Sequence, residues 1–258
     1  MSVHTLTLQN VVHAEPTLDT AAHRAMGWLE AQMTGLFPRS AVRLHAAALA
    51  RTCAIAPSLR TRADAFCDRY CHIEVGELPG VDSATARLAW KAADSTGYED
   101  QYEDPPPVAL GVSLLEYLAA GQYGARRAVD LIENVSLWGN RSVMAPPPCA
   151  ALLEGAALAA ARSFDLIFAL RCARAAAYCT PSSKLFSDTI IAFTHALQGP
   201  DGAFLAISGL GEAGSADPEL AFIVRCSTCV QAVWTLAEFT QPGLRLMQGW
   251  RMEPLAIA

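Results

Sequence analysis

The sequence predicts an all-α domain: an array of antiparallel helix hairpins, either an α/α toroid or an irregular multi-helix bundle of nine or ten helices. Three observations carry this expectation. Apolar residues recur at spacings of three and four, the period of one helix face. Proline and glycine punctuate the chain between such runs. Alternation with period two is almost missing, Val3 to Val11 being the one stretch that approaches a strand. Much of the apolar content is alanine, the best helix former, whose small side chain lets helices approach closely.

In chain order, residues 1–16 read as an N-terminal arm, and a helix opens near Thr17 or Asp19 with Ala22, Met26, Leu29 and Met33 as its apolar stripe. Phe37-Pro38 ends it. A second helix from Ser40 to Ala56 is apolar almost all round, which predicts burial, and Pro57 stops it. A third covers Thr61 to Val75, and Asp82 or Ser83 caps a fourth that carries Leu88, Trp90 and Ala93. Asp94 to Pro107 is an acidic loop closing on three prolines. Helices follow from Val108 to Ala120 and from Ala125 to Trp138, the latter stopped by Gly139-Asn140. Pro146, Pro147 and Pro148 open a seventh helix. Two more span Phe164 to Tyr178 and Ser182 to Leu197. Pro218 to Phe239 is the last and has the strongest start signal, with Asp217 as N-cap, Pro218 at the first position and Glu219 in the first turn.

The chain has 258 residues, of which 52% are hydrophobic and 17% charged, with a mean hydropathy of +0.24. This predicts one domain over residues 1–258 with a sizeable core. Pro148 to Ala161 is broken by Glu154, and Phe164 to Cys179 by Asp165, Arg171 and Arg174, so neither reads as a membrane span. Met1 to Thr17 lacks the pattern of a secretion signal, and the expected compartment is the cytoplasm. A net charge of -6 opposes nucleic acid as the partner, since a phosphate-tracking surface needs a basic excess. The eight cysteines read as free thiols, many of them buried.

One segment resembles a known family. Gln198-Gly199-Pro200-Asp201-Gly202-Ala203-Phe204, placed between the helix from Ser182 and the capped helix from Asp217, is similar to the repeat of the terpenoid-cyclase and protein-prenyltransferase toroids. In those proteins a helix ends in a Gln-containing stretch, an Asp-Gly turn and an aromatic, and a second helix follows. The likeness covers residues 182–239 and implies inner and outer helices alternating around a cavity. Their aspartate clusters, of the DxDD or DDxxD type, are missing from this sequence, so the resemblance implies a fold and no chemistry.

Candidate sites follow from residue type and spacing. Asp188, Ile191, His195 and Gln198 share one helical face, which is either a polar cavity wall with His195 as acid–base group or a partly exposed surface. Arg126 and Asp130 are spaced as an i,i+4 ion pair, opposite a buried stripe of Ala128, Leu131, Val135 and Trp138. Glu133 is then solvated, or lines a wet interior as a catalytic carboxylate. Tyr98, Glu99, Asp100, Tyr102, Glu103 and Asp104 make the acidic loop the expected rim of a site; its carboxylates and tyrosines suit a cationic substrate, a divalent ion or a basic partner, although most acidic linkers are simply solvated. Cys226-Ser227-Thr228-Cys229 has CxxC spacing, and Cys67, Cys71, His72 or His195 could complete a zinc set, but its place inside a helix favours buried core thiols. Contiguous hydrolase, P-loop, dinucleotide and HExxH motifs are missing.

The expected function is that of a small-molecule enzyme, of a secondary-metabolic kind, catalysing a cofactor-free elimination, cyclisation or transfer. His195, Asp188 and Glu133 are its expected catalytic groups; Tyr98, Asp100, Tyr102, Glu103 and Trp138 its substrate contacts; and no metal is expected. The alternative is a non-catalytic helical protein that stabilises a partner or forms a homo-oligomer, with neither nucleic acid nor membrane as partner.

Overall fold

The computed structural model describes residues 17–34, 40–71, 111–138, 145–180, 182–205 and 218–241. These residues are all-α: nine helices and no strand among them, with a single isolated bridge between Gln198 and Phe204. The expected N-terminal arm, the weak strand Val3 to Val11, the helix after Asp82 and the acidic loop lie outside the described residues.

Helix α1 runs Leu18–Met33 and starts where a capping residue allows it, the Thr17 hydroxyl accepting from the Thr20 N–H. Ala22, Met26, Leu29 and Met33 are all buried, as the spacing predicts. Helix α2, Ser40–Cys53, stops short of the expected Ala56, and a 3-10 turn at Pro57–Leu59 leads into α3, Arg60–Tyr70. The buried Thr52 sits inside α2 without an orphaned hydroxyl because it donates to the Ala48 carbonyl one turn back.

Helices α4 (Gly111–Ala119) and α5 (Gly121–Trp138) form a tight hairpin. A Cβ on Gly124 would lie 1.9 Å from the Tyr117 carbonyl oxygen, so this approach admits only glycine. The expected start of α5 at Ala125 misses this turn. Helix α6, Pro148–Arg162, and α7, Leu166–Cys179, pack along each other most extensively of all pairs. The corner between them is a Schellman turn: Asp165 N–H donates to the Ala160 carbonyl at 2.9 Å and Phe164 N–H to Ala161 at 3.1 Å. Phe164 therefore belongs to the corner and not to α7, and its φ is 58°. Asp165 then caps α7 by accepting from the Phe168 N–H.

Helix α8, Lys184–Ala196, is capped by the Ser183 hydroxyl, and α9 is Pro218–Thr240. Two apolar clusters make the core. One joins α1, α2 and α3 to α9, and the other joins α4 to α8. Helix α9 lies between them, against α1 and α2 on one side and α7 and α8 on the other. At 23 residues it is long and apolar enough to cross a bilayer by length and composition, which the two runs weighed from sequence do not reach. Here most of it is buried within the protein, and its two long faces differ. Phe222, Cys226, Cys229, Val233 and Ala237 meet the first cluster. Gln231, Thr235 and Glu238, one turn apart, turn to α7.

The segment between α8 and α9 ties three elements together. Gln198 Nε2 donates to the Ala21 carbonyl at 2.9 Å and the Gly202 carbonyl at 2.8 Å, and Phe204 N–H donates to Cys229 Sγ at 3.3 Å. Gly202, at φ 96°, lies against the α1 backbone. Arg225 of α9 pairs with Asp201.

Candidate functional site

The polar residues of the interior converge where α5, α7 and α9 meet. Arg171, Arg174 and Tyr178 fall at spacings of three and four along α7, so they share one face. That face receives Glu133 from α5 and Gln231, Trp234, Thr235 and Glu238 from α9.

Glu133 is the hub. Arg171 donates to its Oε2 through Nε at 3.0 Å and Nη2 at 2.6 Å, and Arg174 Nη2 donates to its Oε1 at 3.1 Å. Both carboxylate oxygens are thus held by guanidinium groups, a charge-assisted geometry of the strong kind. Arg171 also reaches Asp130 at the surface. The charges therefore alternate from the buried Arg174 through Glu133 and Arg171 to the half-exposed Asp130, two positive and two negative. Burial works against the Arg171 charge, yet Glu133 and Asp130 more than offset it and hold that guanidinium above its ordinary pKa.

Arg174 is fully buried. Its Nη2 also donates to Gln231 Oε1, and its Nη1 to Thr235 Oγ1 at 2.7 Å and the Gln231 carbonyl at 3.2 Å. The Thr235 hydroxyl passes its own proton back to that carbonyl at 2.7 Å. The guanidinium carbon lies 4.0 Å from the centroid of the Trp234 ring, a cation–π contact in a desolvated setting. Trp234 Nε1 donates to Glu238 Oε1 at 2.8 Å, and the Tyr178 hydroxyl to Glu238 Oε2 at 2.7 Å. Burial, with the Glu238 charge next, holds the Tyr178 phenol well above its ordinary pKa and keeps it protonated. Two buried donors of the cluster, Arg174 Nε and Gln231 Nε2, have no acceptor among the described residues. The Gln231 amide orientation follows from the network, because its oxygen must face Arg174.

The structure corrects two expectations on α5. Arg126 does not pair with Asp130: it pairs with Asp165 and lies over the Phe168 ring at 4.4 Å, while Asp130 goes to Arg171. Cross-helix partners with an aromatic face or a buried end outcompete a pair along one helix surface. The buried stripe is Ala125, Ala128, Val129 and Ile132, with Leu131 and Val135 only half-buried. That rotation carries Glu133 into the interior, so it is buried rather than solvated.

Of the other expected residues, Asp188 is exposed on α8 and His195 is half-buried, its Nδ1 shut from water with no acceptor or donor beside it. Burial lowers the His195 pKa. Among the described residues no hydrogen bond or ion pair joins His195 or Asp188 to Glu133. Gln198 of the same face is engaged in the turn. Tyr98, Asp100, Tyr102 and Glu103, and the side chain of Trp138, lie outside the described residues. Cys226 and Cys229 are buried, and no group of three His, Cys, Asp or Glu is placed to hold a metal ion among the described residues. Sequence reasoning did not single out Arg174, Gln231, Thr235 or Glu238, although arginines inside an otherwise apolar helix were a usable signal of buried pairing. No family model, no curated protein and no solved structure matches the chain, so the likeness to the toroid repeat stands on residues 182–239 alone.

Proposed function

We propose that the protein is a cytoplasmic small-molecule enzyme catalysing an elimination, cyclisation or transfer, with its substrate held against the polar cluster of α5, α7 and α9. The observation that carries this reading is the pair of buried donors without an acceptor, Arg174 Nε and Gln231 Nε2. Leaving such groups unmet costs about 1–3 kcal/mol each, so a small acceptor admitted to either binds at an advantage. The substrate class that fits is one bearing a carboxylate, phosphate or carbonyl oxygen. A guanidinium preorganised by Glu133 and Thr235 would stabilise negative charge developing on that oxygen. Burial lowers the His195 pKa, which favours the form that accepts a proton.

The test is a thermal-shift titration with citrate, benzoate, inorganic phosphate and pyrophosphate on the wild type and on Gln231→Met, which keeps the volume and removes the free donor. One of these classes should raise Tm in a saturable way in the wild type and not in the variant. No shift with any of them, or a shift of equal size in Gln231→Met, would sink the reading.

A second reading, a helical protein that stabilises a partner, draws on a different surface. Leu152 and Leu158 of α6 and Phe164 at its end are large apolar side chains exposed to water.

A further inference from the structure

Helix α6 turns one face to solvent along its whole length, and that face is self-complementary. Its exposed residues are Pro148, Ala151, Leu152, Gly155, Leu158, Ala159 and Arg162, and the five central ones read the same in both directions from Gly155. Leucines stand three residues to either side of it and alanines four. Leu152 and Leu158 are each 47% exposed. A Cβ on Gly155 would meet nothing within 4 Å, so no fold contact accounts for the glycine. Glu154 is half-exposed on the flank, and Arg162 closes the stripe at its C-terminal end.

The end of the helix is a second and independent observation. Phe164 occupies the left-handed position of the Schellman turn, where glycine is the usual residue because a Cβ there costs about 1–2 kcal/mol. The ring is 58% exposed, so burial does not offset that strain. The corner that presents it is rigid: Asp165 caps α7 and pairs with Arg126 at once. An exposed aromatic on a preorganised corner is the form of an interface anchor.

We propose that the α6 face is the seam of a homodimer, in which two copies pack antiparallel about a two-fold axis at Gly155. The symmetry favours a second copy as the occupant, since a two-fold axis at Gly155 sets each residue against its mirror position, and over the central five this puts apolar residues opposite apolar ones. In that register Leu158 of one copy lies beside Leu152 of the other and Ala159 beside Ala151, and the axes approach at Gly155. Phe164, beyond the helix end, reaches the level of Pro146 and Pro147 of the second copy. The patch covers roughly 500 Å² on each copy and about 1,000 Å² in the pair, the lower limit for a specific interface, so the dimer is a weak one. The inference is independent of the small-molecule reading, whose test variant Gln231→Met leaves this face untouched.

Sedimentation velocity over a range from about 1 to about 300 μM should show a reversible monomer–dimer equilibrium. Leu158→Glu should weaken it about tenfold or more by burying an unpaired carboxylate against Leu152 of the other copy, twice in the seam. Leu152→Glu combined with Leu158→Lys should restore association, because the antiparallel register sets the new charges side by side across the seam. Phe164→Gly gives a signature that a structural role would not, with Tm of the dilute protein held or raised and self-association weakened. A monomer at every concentration overturns the proposal, and so does a dimer indifferent to Leu158→Glu. Failure of the charge pair to restore association overturns the register, and flotation with phosphatidylcholine–phosphatidylglycerol vesicles in place of self-association assigns the face to a lipid surface instead.

Discussion

Arg174 lies over the face of Trp234 while also donating to Glu133, so one guanidinium joins a cation–π contact to an ion pair with no exposed surface at all. Its two partners come from different helices, Trp234 from α9 and Glu133 from α5, and Arg174 itself from α7. The relationship therefore locks three helices in register. Apolar packing alone tolerates sliding better, since side chains of similar size exchange places at modest cost.

Removing Glu133 strands the buried Arg174, whereas removing Arg174 leaves Glu133 with Arg171. Glu133→Gln should destabilise the protein by about 3–5 kcal/mol in urea unfolding, and Arg174→Met by less. The double substitution Arg174→Met with Glu133→Leu should cost less than the two single changes together, because the charge that loses Glu133, Arg171, still has Asp130. Additive losses would mean that the two groups do not act as a pair.

Tyr178 gives the cluster a pH signature. Its phenol is held above the ordinary value by burial and by Glu238, so the native state keeps a proton that the unfolded chain gives up near pH 10. The stability this contributes is complete below that pH and is lost as the pH rises further. In an absorbance titration at the phenolate band, one of the six tyrosines should titrate only as the protein unfolds. Tyr178→Phe should remove that late step, at a cost of about 1–3 kcal/mol at neutral pH for the donor withdrawn from Glu238.

The helices were legible in the sequence because their signals are local. Thr17 marks a start that backbone hydrogen bonding then uses, and the starts expected at Phe164 and Ser182 fall within two residues of those of α7 and α8. The period of three and four places the α1 stripe residue by residue. The cluster was not legible, because its members are far apart in sequence and meet only through helix packing: Glu133 and Arg174 are 41 residues apart, and Arg174 and Gln231 are 57. The rotation of α5 shows the mechanism of the miss. A reading that assigns Asp130 to a neighbour on its own helix has no reason to turn Glu133 inward; the cross-helix arginine supplies it. His195 was correctly placed on a helix, but spacing carries no information on how much of a ring the next helix covers.

The cysteines should separate by reactivity. Burial raises the pKa of Cys53, Cys226 and Cys229, the last to about 12, and all three are shut from solvent. Cys67 is half-buried, and the hydrogen bond with Cys71 lowers its pKa, with help from the Arg51 charge. Iodoacetamide at pH 8, followed by mass spectrometry, should label Cys67 first among these four and reach Cys226 and Cys229 only in denaturant. Early labelling of Cys226 or Cys229 would show that α9 is not packed against α1 and α2 as described.

Two glycines should answer alanine substitution with opposite signs. Gly27 lies inside α1, where a Cβ meets nothing within 4 Å, so Gly27→Ala should stabilise the protein by up to about 1 kcal/mol through helix propensity. Gly202 has φ 96°, and a Cβ there would lie 2.3 Å from the Arg24 carbonyl oxygen of α1. Backbone cannot swing aside as a side chain does, so Gly202→Ala must push the turn away from α1. That movement also strains the Gln198 amide, which donates to both Ala21 and Gly202, and the bond from Phe204 to Cys229. The expected loss is about 2–4 kcal/mol, more than left-handed strain alone, since the turn is the joint between α1, α8 and α9. Thermal unfolding of the two variants beside the wild type measures both effects. A Gly202→Ala protein as stable as the wild type would mean that this turn is free of α1, and that the first apolar cluster closes without it.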